Sequence, residues 1–210
     1  MFERQLIKLP VKGQMRTLVV TAGKVAVYDA LDAQTGKYAF SYDSGLQNVI
    51  KGIDPVTGVK DVDVSKVPGD GERKTVCPHA GGAKSWLPGS YNAATKIVYT
   101  PLVESCMDLY PAGPGGRPSL STGAQRAIRP RDKSDGKYGR LQALNLETRK
   151  PVWVEQHRAP VSSGALDTAG GVVFSGSIDR FFRAFDDSNG KLLWESRLSD
   201  VPSSAPSPTA

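Results

Sequence analysis

The chain has 210 residues, of which 39% are hydrophobic and 23% charged, with 22 Gly, 15 Pro and a formal net charge of +6. This length suits one or two compact units, and the near-average composition excludes wholesale disorder and collagen-like repetition. No apolar run approaches the ~20 residues needed to cross a bilayer, and Met1-Phe2-Glu3-Arg4-Gln5 lacks the apolar centre of a signal peptide. Neither a transmembrane anchor nor an export signal is therefore expected in the chain as written.

In chain order, β-branched and aromatic runs predict strands at Thr17–Thr21 and Val25–Tyr28. They lead into Ala30-Leu31-Asp32-Ala33-Gln34-Thr35-Gly36-Lys37-Tyr38-Ala39-Phe40. Lys51 to Ala83 reads as a long loop, within which Asp54-Pro55-Val56-Thr57-Gly58 is a turn. A strand follows at Lys96–Thr100, and a second long loop is expected from Pro111 to Tyr138. The basic residues Arg126, Arg129, Arg131, Lys133, Lys137 and Arg140 crowd around the end of that loop and read as solvated. Without a recognised binding module or stacking platform, they do not indicate nucleic acid as a partner.

Leu141–Leu144 predicts another strand, within Ala143-Leu144-Asn145-Leu146-Glu147-Thr148-Arg149-Lys150-Pro151-Val152-Trp153. Val172–Ser175, Phe181–Phe185 and Leu192–Glu195 predict a meander, whose last turn lies in Ala184-Phe185-Asp186-Asp187-Ser188-Asn189-Gly190-Lys191-Leu192-Leu193-Trp194. No stretch reads as an amphipathic helix. Residues 201–210 hold three Pro and three Ser and read as a tail after a body spanning residues 1–200.

The three quoted segments are copies of one unit: Ala, a residue, Asp or Asn, three residues, Gly, Lys, two residues, Trp. Arg149 replaces the Gly in one copy and Phe40 replaces the Trp in another. Each copy has a local mechanism. The Asp or Asn side chain can bond backbone amides two residues on, Gly supplies a positive φ, and the next strand delivers an aromatic at a fixed distance. The last two copies are 41 residues apart, the length of one four-stranded β-propeller unit. The predicted fold is all-β, a partial propeller of about three to four blades, with Phe40, Trp153 and Trp194 as docking aromatics packed between sheets.

The repeat resembles the tryptophan-docking motif of the pyrroloquinoline quinone (PQQ) dehydrogenases. Cys77-Pro78-His79, Gly81-Gly82, Trp86, Pro88, Tyr91-Asn92, Tyr99-Thr100-Pro101 and Cys106-Met107-Asp108 are similar to a segment of quinoprotein methanol and ethanol dehydrogenases, and Leu166 to Leu198 continues the similarity. The resemblance implies an eight-bladed propeller that carries PQQ and a calcium or lanthanide ion on its axis. It implies oxidation of a small alcohol to an aldehyde, with a cytochrome c or another periplasmic acceptor taking the electrons.

By length, the chain is expected to be an internal to C-terminal part of such an enzyme, inactive alone, whose parent is periplasmic. The family's catalytic aspartate and metal ligands are expected before the matched region. Lys24 falls where relatives place an Arg or Lys that hydrogen-bonds the quinone, and a fixed cation there would stabilise negative charge on the reduced cofactor. Val103 and Ser162 depart from the methanol-oxidising pattern. The resemblance further implies a disulfide between Cys77 and Cys106; two cysteines alone permit a bond without implying one, and free buried thiols are the default in a cytosolic protein.

The remaining candidates have plainer readings. His79 and His157 lack metal-ligand spacing and read as ordinary histidines. Gly81-Gly82 follows no strand and opens no helix, against a phosphate cradle. Without Cys-x-x-Cys-His, no covalent haem is expected. The alternative function is a non-enzymatic scaffold built from the same repeats for protein contacts.

Overall fold

The computed structural model describes residues 3–67, 72–113 and 124–207. Strands β1 (Gln5–Val11), β2 (Gln14–Ala22), β3 (Val27–Asp32) and β4 (Tyr38–Asp43) form an antiparallel meander. Lys12-Gly13, both at positive φ, close the first hairpin in the two-residue geometry that matches strand twist. A small hairpin of β5 (Ile50–Ile53) and β6 (Lys60–Val62), one 3-10 turn at Val64–Lys66 and β7 (Lys74–Val76) follow.

The second sheet begins with β8 (Ser90–Asn92) and β9 (Ile97–Val103). The chain then leaves it through β10 (Ser105–Pro111) and β11 (Ala124–Pro130), which join β7 in a three-stranded sheet ordered β11-β10-β7. It returns in β12 (Gly139–Asn145) and β13 (Lys150–His157), giving the order β13-β12-β9-β8. The third four-stranded meander is β14 (Leu166–Thr168), β15 (Val172–Gly176), β16 (Phe181–Asp186) and β17 (Leu192–Arg197). Among the described residues no helix is long and apolar enough to cross a membrane.

The four-stranded sheets stack face to face as consecutive propeller blades. Ile7, Leu9, Leu18, Val20 and Phe40 of the first pack against Val98, Leu144 and Leu146 of the second. Tyr99, Leu141 and Trp153 of the second pack against Val173 and Phe185 of the third. The repeat explains this geometry. Ala30, Ala143 and Ala184 lie directly across the ladder from Phe40, Trp153 and Trp194, and in all three copies the register slips immediately after the alanine. A small residue leaves room for the ring opposite, the extra residue of the slip falls on the aromatic's strand at Ala39, Val152 and Leu193, and strand alternation turns Leu144 and Phe185 toward the preceding sheet. The turns use the predicted chemistry: Asp32 Oδ1 accepts from the Gln34 and Thr35 amides at 3.1 and 2.9 Å, Asn145 Oδ1 from Thr148 at 2.8 Å and Asp186 Oδ1 from Ser188 at 2.9 Å.

Several expectations are corrected. The stretch from Lys51 to Ala83 is not a plain loop, since it holds β5, β6, the 3-10 turn and β7, with Asp54–Gly58 as a hairpin turn. Pro111 to Tyr138 likewise contains β11, although residues 114–123 of that expectation lie outside the described residues. Extended pairing with β10, seven residues of continuous ladder, overrides the polar composition that suggested a loop. The basic cluster is not simply solvated: Arg129 pairs with Asp108 and Asp132, and Arg131 and Arg140 both pair with Glu104. Trp194 is 51% exposed, against 8% for Trp153, because no further sheet lies over β17 among the described residues.

Candidate functional site

The turn between β2 and β3 closes through the Ala26 amide on the Gly23 carbonyl at 2.8 Å and carries Lys24 at its tip. The Lys24 carbonyl accepts from the Ala83 amide at 2.7 Å, and the Ala83 carbonyl accepts from the Val103 amide at 2.8 Å. Lys24 and Val103 are thereby laced to one segment, 81–84. The exposed Lys24 ammonium donates to the Ala80 carbonyl at 2.6 Å. Gly82 is required here: it sits at φ +90°, and a Cβ on it would lie 2.9 Å from Lys24 Cβ and Cγ.

The residues leading into that segment are anchored as well. The Cys77–Cys106 disulfide, with Cα atoms 4.2 Å apart, ties them to β10. The Asn48 side chain accepts from the Cys77 amide at 2.8 Å. His79 Nδ1 lies 2.6 Å from Ser105 Oγ, and burial, aided by the Arg126 and Lys24 charges, holds its pKa below the ordinary imidazole value. Lys24 therefore projects from a braced support, and an ammonium has three donors of which the Ala80 carbonyl takes one. This arrangement fits an anionic, oxygen-rich ligand at one contact.

Ser162 belongs elsewhere, its amide on the Gly176 carbonyl at 3.0 Å and its buried hydroxyl without a partner among the described residues. His157 Nδ1 meets Glu155 at 2.8 Å and its Nε2 meets Ser177 Oγ at 2.6 Å, a structural link between the second and third sheets. Among the described residues no three His, Cys, Asp or Glu side chains gather as a metal site, and no metal step is assigned to them.

Two polar centres escaped sequence reasoning. Glu104, fully buried, accepts from Arg140 at 2.8 Å, Gln156 at 2.6 Å and Arg131 at 3.2 Å. Burial opposes its ionisation, yet the Arg140 and Gln156 hydrogen bonds and the two guanidinium charges outweigh it, so its pKa falls below the ordinary carboxylate value. The only hint in the sequence is a lone acid closing the apolar run of β9. Lys84 is 2% exposed and lies 3.6 Å from Glu3, whose carboxylate also accepts from the Gly89 amide and the Gln5 side chain. Burial lowers the Lys84 pKa, and Glu3 only partly offsets this. Nothing in Gly82-Ala83-Lys84-Ser85 signals that burial.

Residues 132–208 match a family model described as glucose/ethanol/alcohol dehydrogenase, beta-propeller domain, of PQQ type. The chain is 32% identical over 191 residues to a lupanine 17-hydroxylase [cytochrome c] of a Pseudomonas species, covering 90% of this chain and 27% of that protein. It is 28% identical over 212 residues to a quinohemoprotein alcohol dehydrogenase of Comamonas testosteroni, covering 96% of this chain and 30% of that one. A solved europium-containing methanol dehydrogenase superposes with a TM-score of 0.86 at 26% identity, covering 97% of this chain and 36% of its own. The chain thus spans about a third or less of the relatives it matches. The alanine-aromatic register of three stacked blades, the cysteine-bounded segment and these similarities agree, and the chain belongs to the quinoprotein, PQQ-dependent alcohol dehydrogenase family.

Proposed function

We propose that this chain forms a sector of the propeller of a PQQ-dependent dehydrogenase that oxidises a small alcohol to an aldehyde, and that it contributes Lys24 to the wall of the cofactor site. The observation that carries the reading is the Lys24 ammonium, held by the Ala80 carbonyl on a disulfide-braced segment with donors to spare. PQQ, when bound, supplies the two-electron oxidant. Lys24 supplies a fixed cation and hydrogen-bond donor toward a quinone oxygen, and the bare backbone of Gly82 keeps the lysine stem in place.

Among the described residues no cluster of side chains is assigned to hold the calcium or lanthanide ion or to act as the catalytic base, and in this reading both come from parts of the enzyme beyond this sector. Val103 and Ser162 weigh against methanol itself as the substrate. The electrons pass to a cytochrome c or another periplasmic acceptor, and the disulfide supports an oxidising compartment for the parent. The test is a chimera in which this chain replaces the matching third of the Comamonas testosteroni enzyme. It is expected to oxidise alcohols with PQQ, to lose roughly tenfold to a hundredfold in rate with Lys24→Met and to keep most of it with Lys24→Arg. A folded, PQQ-loaded chimera indifferent to Lys24→Met overturns the role of the lysine, and turnover by the isolated chain overturns the sector reading.

A further inference from the structure

The wall that carries Lys24 and Val103 is backed by buried charge. Ala83 joins its two halves, with its amide on the Lys24 carbonyl at 2.7 Å and its carbonyl on the Val103 amide at 2.8 Å. The residues that directly follow Ala83 and Val103 are Lys84 and Glu104, the two most deeply buried charged side chains among the described residues, at 2% and 0% exposed. Glu104 is accounted for by its two guanidinium partners and Gln156. Lys84 is not: its ion pair with Glu3 is long, at 3.6 Å, and burying an ammonium with its flexible stem costs both hydration and rotamer freedom.

What Lys84 does is gather backbone. It lies between the first and second sheets beside Glu3, Tyr28 and Thr100. Its ammonium donates to the Leu87 carbonyl and, at 3.4 Å, to the Ser85 carbonyl. Glu3 holds the same stretch from its far end, accepting from the Gly89 amide at 2.8 Å. The Pro88 carbonyl accepts from the Ala165 amide at 2.9 Å, at the entrance to β14. Residues 83–89 form a strap from the first sheet past the second to the third, and Lys84 closes it on itself. Ala83 packs with Ala26, Leu46 and Leu102, but such apolar contacts are non-directional and leave its hydrogen bonds to be aimed by the ammonium next to it.

We propose that Lys84 is a positioning residue for the cofactor site: by holding the strap against Glu3 and the Leu87 carbonyl it sets, through Ala83, where the Lys24 ammonium and the Val103 side chain stand. It acts through Lys24 and needs no contact with cofactor or substrate. The proposal rests on the dehydrogenase reading for what Lys24 meets, and on the hydrogen bonds of the strap for the rest. Lys84→Met separates position from folding, because an unbranched apolar chain fills the same space without the ammonium. Glu3, its side chain 23% exposed and still bonded to the Gly89 amide and the Gln5 side chain, is not left as a stranded buried charge.

Amide exchange in the full 210-residue chain tests this. In Lys84→Met the Ala83 and Val103 amides are expected to exchange at least about tenfold faster, while the Asp186 and Gly190 amides in the third sheet's turn and the urea midpoint stay near wild type. Glu3→Gln removes the counter-charge alone, from a more accessible position, and should quicken the same two amides by a smaller factor. In the Comamonas testosteroni chimera, Lys84→Met should weaken PQQ binding, and Lys24→Met combined with Lys84→Met should bind no more weakly than Lys24→Met alone, since one lysine acts through the other. Exchange unchanged at Ala83 and Val103 in both variants, exchange raised equally at Asp186 and Gly190, or effects on PQQ affinity that simply multiply would each overturn the proposal. Failure of the dehydrogenase reading is seen separately, as a PQQ affinity indifferent to Lys24→Met, and leaves the exchange result unaffected.

Discussion

Trp153 Nε1 donates to the backbone carbonyl of Asp187 at 2.7 Å, tying the outer strand of one sheet to the turn of the next. This bond exists because the Asp186 side chain caps the turn and because Gly190, at φ +74°, presents a bare backbone face to the indole. Trp153→Phe keeps most of the buried area but leaves that carbonyl only the longer hydrogen bond from the Tyr99 hydroxyl at 3.2 Å, and should cost about 1 kcal/mol. Trp153→Ala should cost about 3–5 kcal/mol. Urea unfolding of the two variants separates the two contributions; a Trp153→Phe variant as stable as the wild type would remove the hydrogen bond from the account.

The first interface offers a conversion experiment. Arg149 holds a left-handed φ of +56° where the other copies have glycine. Arg149→Gly should relieve about 1 kcal/mol of backbone strain and lose a comparable cation–π contact with Phe40, for little net change. Combined with Phe40→Trp it recreates the pairing of Trp153 with Gly190. The double variant is expected to be more stable than the sum of the single changes by about 1 kcal/mol in a thermodynamic cycle.

Glu104 is the carboxylate most dependent on the fold. Glu104→Gln leaves Arg140, itself only 11% exposed, without its buried counter-charge, and should cost about 3 kcal/mol. The sign of its pH dependence follows from a folded pKa below the unfolded one. Its contribution is complete above the unfolded carboxylate value, about 4.3, and disappears as pH falls through the folded value. Acid denaturation curves of wild type and Glu104→Gln should therefore converge as pH drops below that range.

Reducing the Cys77–Cys106 bond opens a loop with a sequence separation of 29, which the loop-entropy model values at about 3–4 kcal/mol. Because the loop carries segment 81–84, reduction should also loosen the Lys24 support. Amide exchange is expected to rise first at Ala83 and Val103, whose hydrogen bonds lace that support together, before the stacked sheets open.

What the sequence by itself determined is the chemistry contained within a few residues. Asp32, Asn145 and Asp186 cap amides two or three positions on, so their turns were legible from spacing alone. The alanine facing the aromatic and the meander of β14–β17 follow from the same short period. Only the tertiary structure decided the rest, because it depends on partners far along the chain. Glu104 is buried by Arg131, Arg140 and Gln156, which are 27, 36 and 52 residues away, and β11 is a strand because β10 offers it a ladder. Lys84 is enclosed with Glu3 across the first two sheets. Trp153 and Trp194 have the same local repeat, yet one is buried and the other exposed: the motif specifies how an indole is presented, while the presence of a neighbouring sheet decides whether water is removed from it.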